Sequence, residues 1–218
     1  MKRTGILLFL LFILGCTKKP APSLAPTPAP TLAPRGTVIL DFGHGGFDGG
    51  AVGVDTGVVE ADLNLAVGRK VEAALIARGY TVVLTRSDEN ALADTKNADM
   101  HLRGEILSQP ADCTVSIHMN KFSDRTVKGP MTFYQAGADE GQHLSQCVID
   151  AITEALGLPA RKANPANNFV TRVPSAPSVL VECGFLSNSE DEKNLQDAAY
   201  QEKLAEAIAA GVEAFLYP

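Results

Sequence analysis

The sequence predicts an α/β fold, a single domain with a mostly parallel or mixed twisted sheet and helices on both faces. Three observations carry that prediction. After residue 35, short β-branched runs alternate with segments of helical period. Those runs are almost continuously apolar, as expected of strands covered on both sides. The 183 residues from 36 to 218 suit one domain with a sizeable core, and no segment repeats another.

Each element has its own local signal. Thr37-Val-Ile-Leu-Asp41 is a strand run that ends in Phe42-Gly-His-Gly-Gly46. From Asp62, a plausible N-cap, Leu63, Val67, Val71, Ala74 and Leu75 fall on one helical face, with Gly79 at the position of a C′ glycine. Strand Thr81-Val-Val-Leu-Thr85 follows, then a polar loop to about residue 97 and a short helix over Asn97 to Gln109. Cys113-Thr-Val-Ser-Ile-His118 and Pro130 to Tyr134 read as strands. Asp139 to Leu156 reads as a helix closed by Gly157 and Pro159, and Ser178-Val-Leu-Val-Glu182 as a strand. Ser189-Glu-Asp-Glu192 opens a helix whose acids complement its dipole, and a last helix spans about Gln201 to Leu216.

The first 35 residues differ in kind. Lys2 and Arg3 precede an apolar run of 11 residues, Gly5 to Gly15, too short for the roughly 20 of a spanning helix. It reads as a secretory signal over residues 1–15. Its end, Ile13-Leu14-Gly15-Cys16, resembles the bacterial lipobox, whose cysteine is acylated and becomes the mature N-terminus. An ordinary signal with an incidental cysteine is the alternative. Thr17, where an aspartate would retain the protein on the inner membrane, favours the outer membrane in a two-membrane organism. Residues 16–35 form a tether; six prolines between Lys19 and Arg35 exclude helix and ladder. Extended as polyproline at about 3.1 Å per residue, it reaches on the order of 50 Å.

All 25 acidic residues lie after Arg35, against 14 of the 19 basic ones, so the body carries −11. That excludes a basic footprint for nucleic acid. With no Trp, an aromatic stacking platform is also unlooked for. Cys113, Cys147 and Cys183 are an odd set without CxxC spacing, which excludes a zinc ribbon or disulfide scaffold and leaves one disulfide open.

Four polar residues stand where α/β sheets place ligands, beyond the carboxyl ends of strands. His44 follows the first strand, His118 ends another, Glu182 ends a late one, and Glu60 sits in the loop before the first helix. Two imidazoles and a carboxylate are a common set for catalytic zinc, with a further carboxylate to take a proton. Glu182 lies between Val179-Leu-Val181 and Phe185-Leu186, so burial is expected there, and a buried carboxylate needs a partner or a task. His101 and His143, among polar residues of helices, read as surface histidines.

The motifs are more specific than the residues taken singly. Val38-Ile-Leu-Asp-Phe-Gly-His-Gly-Gly-Phe-Asp-Gly-Gly-Ala51, Glu60-Ala-Asp-Leu-Asn-Leu65, Ser116-Ile-His-Met-Asn120 and Val181-Glu-Cys-Gly-Phe-Leu-Ser-Asn188 resemble, in order, the four motifs of the zinc-dependent N-acetylmuramoyl-L-alanine amidases of the cell-wall type. Arg78 to Arg86 continues the likeness, which covers residues 37 to 217. The resemblance implies one Zn2+ on His44, Glu60 and His118, with Glu182 as catalytic base and acid. It implies peptidoglycan as substrate, cut between N-acetylmuramic acid and the L-alanine of the stem peptide. Asn120 and Arg172 are candidates to hold substrate, with a strand-end cap and a surface charge as their alternatives. Phe42 stands where proline is usual and Met119 where alanine is usual, which is expected to bear only on substrate fit. The segment from Asn120 to Phe169 leaves no room for the helical plug of some relatives, and no segment indicates an activator. The expectation is a hydrolase of the cell envelope on residues 36–218, held on a lipid bilayer through Cys16. Another zinc amide hydrolase, or a silent wall-binding lipoprotein, are the alternatives.

Overall fold

Six strands form one mixed sheet in the computed structural model, which describes residues 35–218. The signal run, Cys16 and nearly all of the tether lie outside the described residues. In chain order the elements are β1 (Thr37–Phe42), α1 (Glu60–Ala77), β2 (Thr81–Leu84), α2 (Lys96–Leu107), β3 (Cys113–Asn120) and β4 (Met131–Gln135). They continue with α3 (Asp139–Leu156), β5 (Asn164–Ala166), α4 (Phe169–Arg172), β6 (Ser178–Phe185), α5 (Ser189–Leu195) and α6 (Ala198–Leu216). The strand order is β2-β1-β3-β6-β4-β5; the first four are parallel, while β4 runs antiparallel to β6 and parallel to β5.

The period of two decides what each face holds. Val38, Leu40 and Phe42 of β1, Val115 and Ile117 of β3, and Val179 and Val181 of β6 point to one face, packed under α1, α3 and α6. The intervening residues point to the other face. There Ile39 and Leu180 pack on Leu107 of α2 and Val170 of α4, a far smaller apolar cluster. Toward the carboxyl ends of the strands this second face turns polar, with Asp41 and Ser116 buried. β1 leads through α1 to β2 on one side, while its other neighbour is β3, so the chain reverses direction beside β1. The crevice at such a switch point is where open α/β sheets bind ligands.

Several sequence boundaries move, for identifiable reasons. α1 starts at Glu60, not Asp62, after Val59, which gives no side-chain cap. α2 starts at Lys96 because Thr95 Oγ1 accepts from Ala98 N, and α6 at Ala198 because Asp197 accepts from Tyr200 N. β3 runs past His118 to Asn120 through a register shift, and β6 runs past Glu182 to Phe185. β5 and α4 carry no sequence signal, being three and four residues long. Cys113, Cys147 and Cys183 are free thiols. Among the described residues no helix is long and apolar enough to cross a membrane.

Candidate metal centre

His44 sits in the turn that leaves β1, and its φ of 61° is the one positive value of a non-glycine residue among those described. A left-handed histidine costs on the order of 1–2 kcal/mol, so the surrounding contacts must impose it. They do. Arg86 donates to Phe42 O at 2.9 Å and to Gly43 O at 3.1 Å, and Arg103 donates to Phe42 O at 3.0 Å and to His44 O at 3.1 Å. Gly43 must lack a side chain, because a Cβ there would lie 2.2 Å from His118 Cε1. At Gly50 a Cβ would lie 2.5 Å from Glu60 Oε2.

The residues meet as the sequence expects. His44 Nε2 is 3.3 Å and His118 Nδ1 2.9 Å from Glu60 Oε1, and one ligand atom from each of His44, Glu60 and His118 falls within 4.8 Å of the others. Glu60 is the first residue of α1 rather than a loop residue, so the helix start fixes its backbone. Its Oε2 accepts from Ala51 N at 2.7 Å and its Oε1 from Met119 N at 3.1 Å. Burial would push this carboxyl up, but the two imidazoles hold it well below the usual carboxylate range. For His44 burial opposes charge, while Glu60 and Asp48 outweigh it and raise the pKa. His44 Nδ1 lies 3.1 Å from Asp48 Oδ1, so the ring is gripped on the side away from Glu60. Metal-binding histidines commonly hand their second nitrogen to a carboxylate in this way. Two imidazoles and one carboxylate, with the second nitrogen of one ring so fixed, fit a zinc ion.

Glu182 lies beside His118 in the β3–β6 register, inside β6 rather than at its end. Its Oε2 is enclosed and has no hydrogen-bond partner. Burial pushes its carboxyl up to about 7, against the pull of His118 and with the push of Glu60. An orphaned buried carboxylate oxygen next to a donor set is what a proton-transfer group needs.

Asn120 stands two residues past His118 at the end of β3, and its Oδ1 accepts from Lys121 N at 2.8 Å. Arg172 bonds Asn167 Oδ1 at 2.9 Å and lines a cavity at the other end of β6, sharing no residue with the cleft of His44 and His118. His101 is exposed beside Glu105, and His143 lies edge-on to Phe215. Phe42 and Met119 are buried in the core under α1, α3 and α6, so these departures bear on packing and not on substrate fit. α3 packs into the same core, as an integral helix and not a plug. Sequence reading passed over Asp48 and the buried pair Arg103–Asp41. The i,i+4 spacing of His44 and Asp48 within a glycine loop was the one available signal.

The model of the N-acetylmuramoyl-L-alanine amidase family matches residues 38–214. The germination-specific N-acetylmuramoyl-L-alanine amidase of Bacillus subtilis is 30% identical over 185 residues, with 80% of this chain and 77% of that protein covered. The amidase LytC of the same organism is 32% identical over 181 residues; the match takes in 82% of this chain but 35% of LytC. Among solved structures, the CwlD amidase of Clostridioides difficile, in complex with the GerS lipoprotein, superposes with a TM-score of 0.79 at 36% identity, covering 83% of this chain and 98% of that one.

Proposed function

The chain belongs to the N-acetylmuramoyl-L-alanine amidase family, and on that premise we propose that His44, Glu60 and His118 hold one zinc ion and that Glu182 moves the proton. The observation that carries the proposal is the gathering of three ligand atoms within 4.8 Å, next to a carboxylate oxygen without a partner. The substrate is peptidoglycan, and the bond is the amide between the lactyl group of N-acetylmuramic acid and L-alanine. Bound zinc supplies Lewis acidity to the amide carbonyl and lowers the pKa of water toward about 7.

The residues of the chain account for the remaining steps. Glu182 accepts a proton as the water oxygen bonds the carbonyl carbon, then returns it to the alanine nitrogen as the C–N bond breaks. Its raised pKa suits both halves of that exchange, because a carboxyl poised near neutrality both accepts and releases. Asp48 holds the His44 ring in one orientation, and Arg86 and Arg103 hold the turn beneath it. We further propose an envelope location, with the chain held on a bilayer through an acylated Cys16.

The test is Glu182→Gln in zinc-loaded protein acting on purified muropeptides, with mass spectrometry of the products. Hydrolysis is expected to drop about 10²- to 10⁴-fold with zinc retained. His44→Ala, Glu60→Ala and His118→Ala are each expected to lose the metal. Loss of zinc from Glu182→Gln would make Glu182 a ligand. Full activity of that variant would remove it from the chemistry.

A further inference from the structure

The buried face of α1 is apolar except where it nears the metal centre. Leu63, Val67 and Val71 place it in the core, yet Asn64, wholly buried among them, is an amide. A buried amide costs stability unless its hydrogen bonds are made. Asn64 stands one turn after Glu60 on the same stripe, and helical side chains lean toward the N-terminus, so it reaches back toward the ligands. There the amide is half used. Nδ2 donates to Gly43 O at 3.1 Å and, in a longer contact, to Glu60 Oε1 at 3.4 Å. Oδ1 is enclosed and has no partner among the described residues. Both neighbours of the NH2 group are acceptors, so the partners themselves fix which way round the amide stands. Leucine would remove the unpaired oxygen and suit the core better, at the loss of both contacts.

Those contacts join all three segments that carry candidate ligands. Gly43 precedes His44 in the turn, and its N donates at 3.1 Å to the carbonyl of Ile117, the residue before His118. Its own carbonyl takes the Asn64 amide from α1, the helix that Glu60 begins. The Glu60 oxygen that Asn64 meets is Oε1, the one lying 3.3 Å from His44 Nε2 and 2.9 Å from His118 Nδ1. Arg86 also reaches the Gly43 carbonyl and bonds Ala61 O at 2.8 Å, so the turn stays fastened to α1 without Asn64. What Asn64 adds is a bond to the carboxylate itself.

We infer that Asn64 is a positioning residue that presets the metal centre, its one NH2 group holding the His44 turn and the Glu60 carboxylate in register. The inference rests on the zinc reading and deepens it. Asn64 acts only through the ligands and touches no reacting atom. Partners that orient ligands from behind typically govern metal affinity by about 10- to 100-fold, and an unpaired buried oxygen is the stability cost of keeping one here.

The test uses the full-length protein in detergent, stripped of metal and titrated with Zn2+ against a chromophoric chelator, with His118→Ala as the blank. A parallel titration uses Co2+, whose visible absorption reports the geometry of its ligands. Asn64→Leu removes the amide at similar volume, and Asn64→Ala removes it without added bulk. Val71→Ala, on the same buried stripe and about 10 Å further along α1, is the control for lost packing. Both Asn64 variants are expected to bind zinc about 10- to 100-fold more weakly than wild type and to change the cobalt absorption. Val71→Ala should keep the cobalt bands and hold zinc within about twofold of wild type, although its metal-free urea midpoint falls. Without metal, the Asn64 variants should unfold no earlier than Val71→Ala, because the unpaired oxygen leaves with the amide and Arg86 still holds the turn. Zinc affinity of both Asn64 variants within about twofold of wild type, or weakened no further than in Val71→Ala, overturns the inference and leaves the zinc reading standing. Failure of both variants to fold without metal makes Asn64 a structural residue and also overturns it. A wild type that takes up no more zinc than the blank sinks the zinc reading and the inference with it.

Discussion

Glu182 carries an enclosed carboxylate oxygen without a hydrogen-bond partner, and metal-free protein should register the cost of its charge as pH-dependent stability. Its folded pKa near 7 lies above the ordinary 4.5. Between those values the folded state keeps a proton that the unfolded chain has released. The native state then binds more protons than the unfolded one, so stability falls as pH rises through this window. Below it Glu182 is neutral in both states and contributes nothing. Glu182→Gln is therefore expected to melt above wild type at pH 8 and level with it near pH 4, with a chelator present in both. An equal offset at the two pH values would sink the assignment. Singly, His44, Glu60, His118 and Glu182 gave weak signals; they were legible in the sequence together, because each sits in a motif of glycines or apolar residues and the motifs follow in order. Asp48 was not. An aspartate in a glycine loop has a dozen solvated uses, and only the fold of the turn brings its carboxylate to His44 Nδ1.

α2 shows how an element can be legible while its work is not. Its start was readable to within one residue, and Leu107 marks its buried stripe, yet nothing in the sequence tells that Arg103 crosses 62 positions to meet Asp41. Arg103 is 2% exposed and Asp41 0%. Burial would raise the Asp41 carboxyl, but Arg103, with help from His118, Ser116 and Thr85, holds it below the ordinary range. Removing one partner strands a buried charge, so Arg103→Met is expected to cost about 3–5 kcal/mol in urea unfolding. Asp41→Asn in the same chain should recover part of that loss, since the amide has no charge to strand. Because Arg103 also holds the carbonyl of His44, the single variant should retain zinc less tightly. A loss under about 1 kcal/mol would mean that water takes over the contacts of Arg103. β5 and α4 stayed illegible for a different reason. Asn164-Pro-Ala166 is strand only because β4 lies alongside it, and so short a piece has no period to read.

At the scale of the whole molecule, the chain enters the domain at Arg35, far from the chemistry. Arg35 N donates to Gly79 O at 3.0 Å, and its guanidinium stacks 4.3 Å from the Tyr217 ring and 5.5 Å from the Tyr80 ring. All of these lie at the amino end of β1, whereas His44 leaves its carboxyl end. Six residues of strand at about 3.3 Å each put roughly 20 Å between the two ends. The proposed anchor and reach can be tested together. Cys16→Ser should abolish palmitate labelling, because acylation needs the thiol, and normal labelling of that variant removes the anchor. Deleting residues 19–34 should leave the rate on soluble muropeptides unchanged, since the candidate ligands His44, Glu60 and His118 and the carboxylate of Glu182 all lie within residues 36–218. If residues 16–35 act as the proposed tether, the same deletion should slow the attack of vesicle-anchored protein on insoluble wall. Equal rates on wall with and without those residues would show that reach is not what the tether supplies.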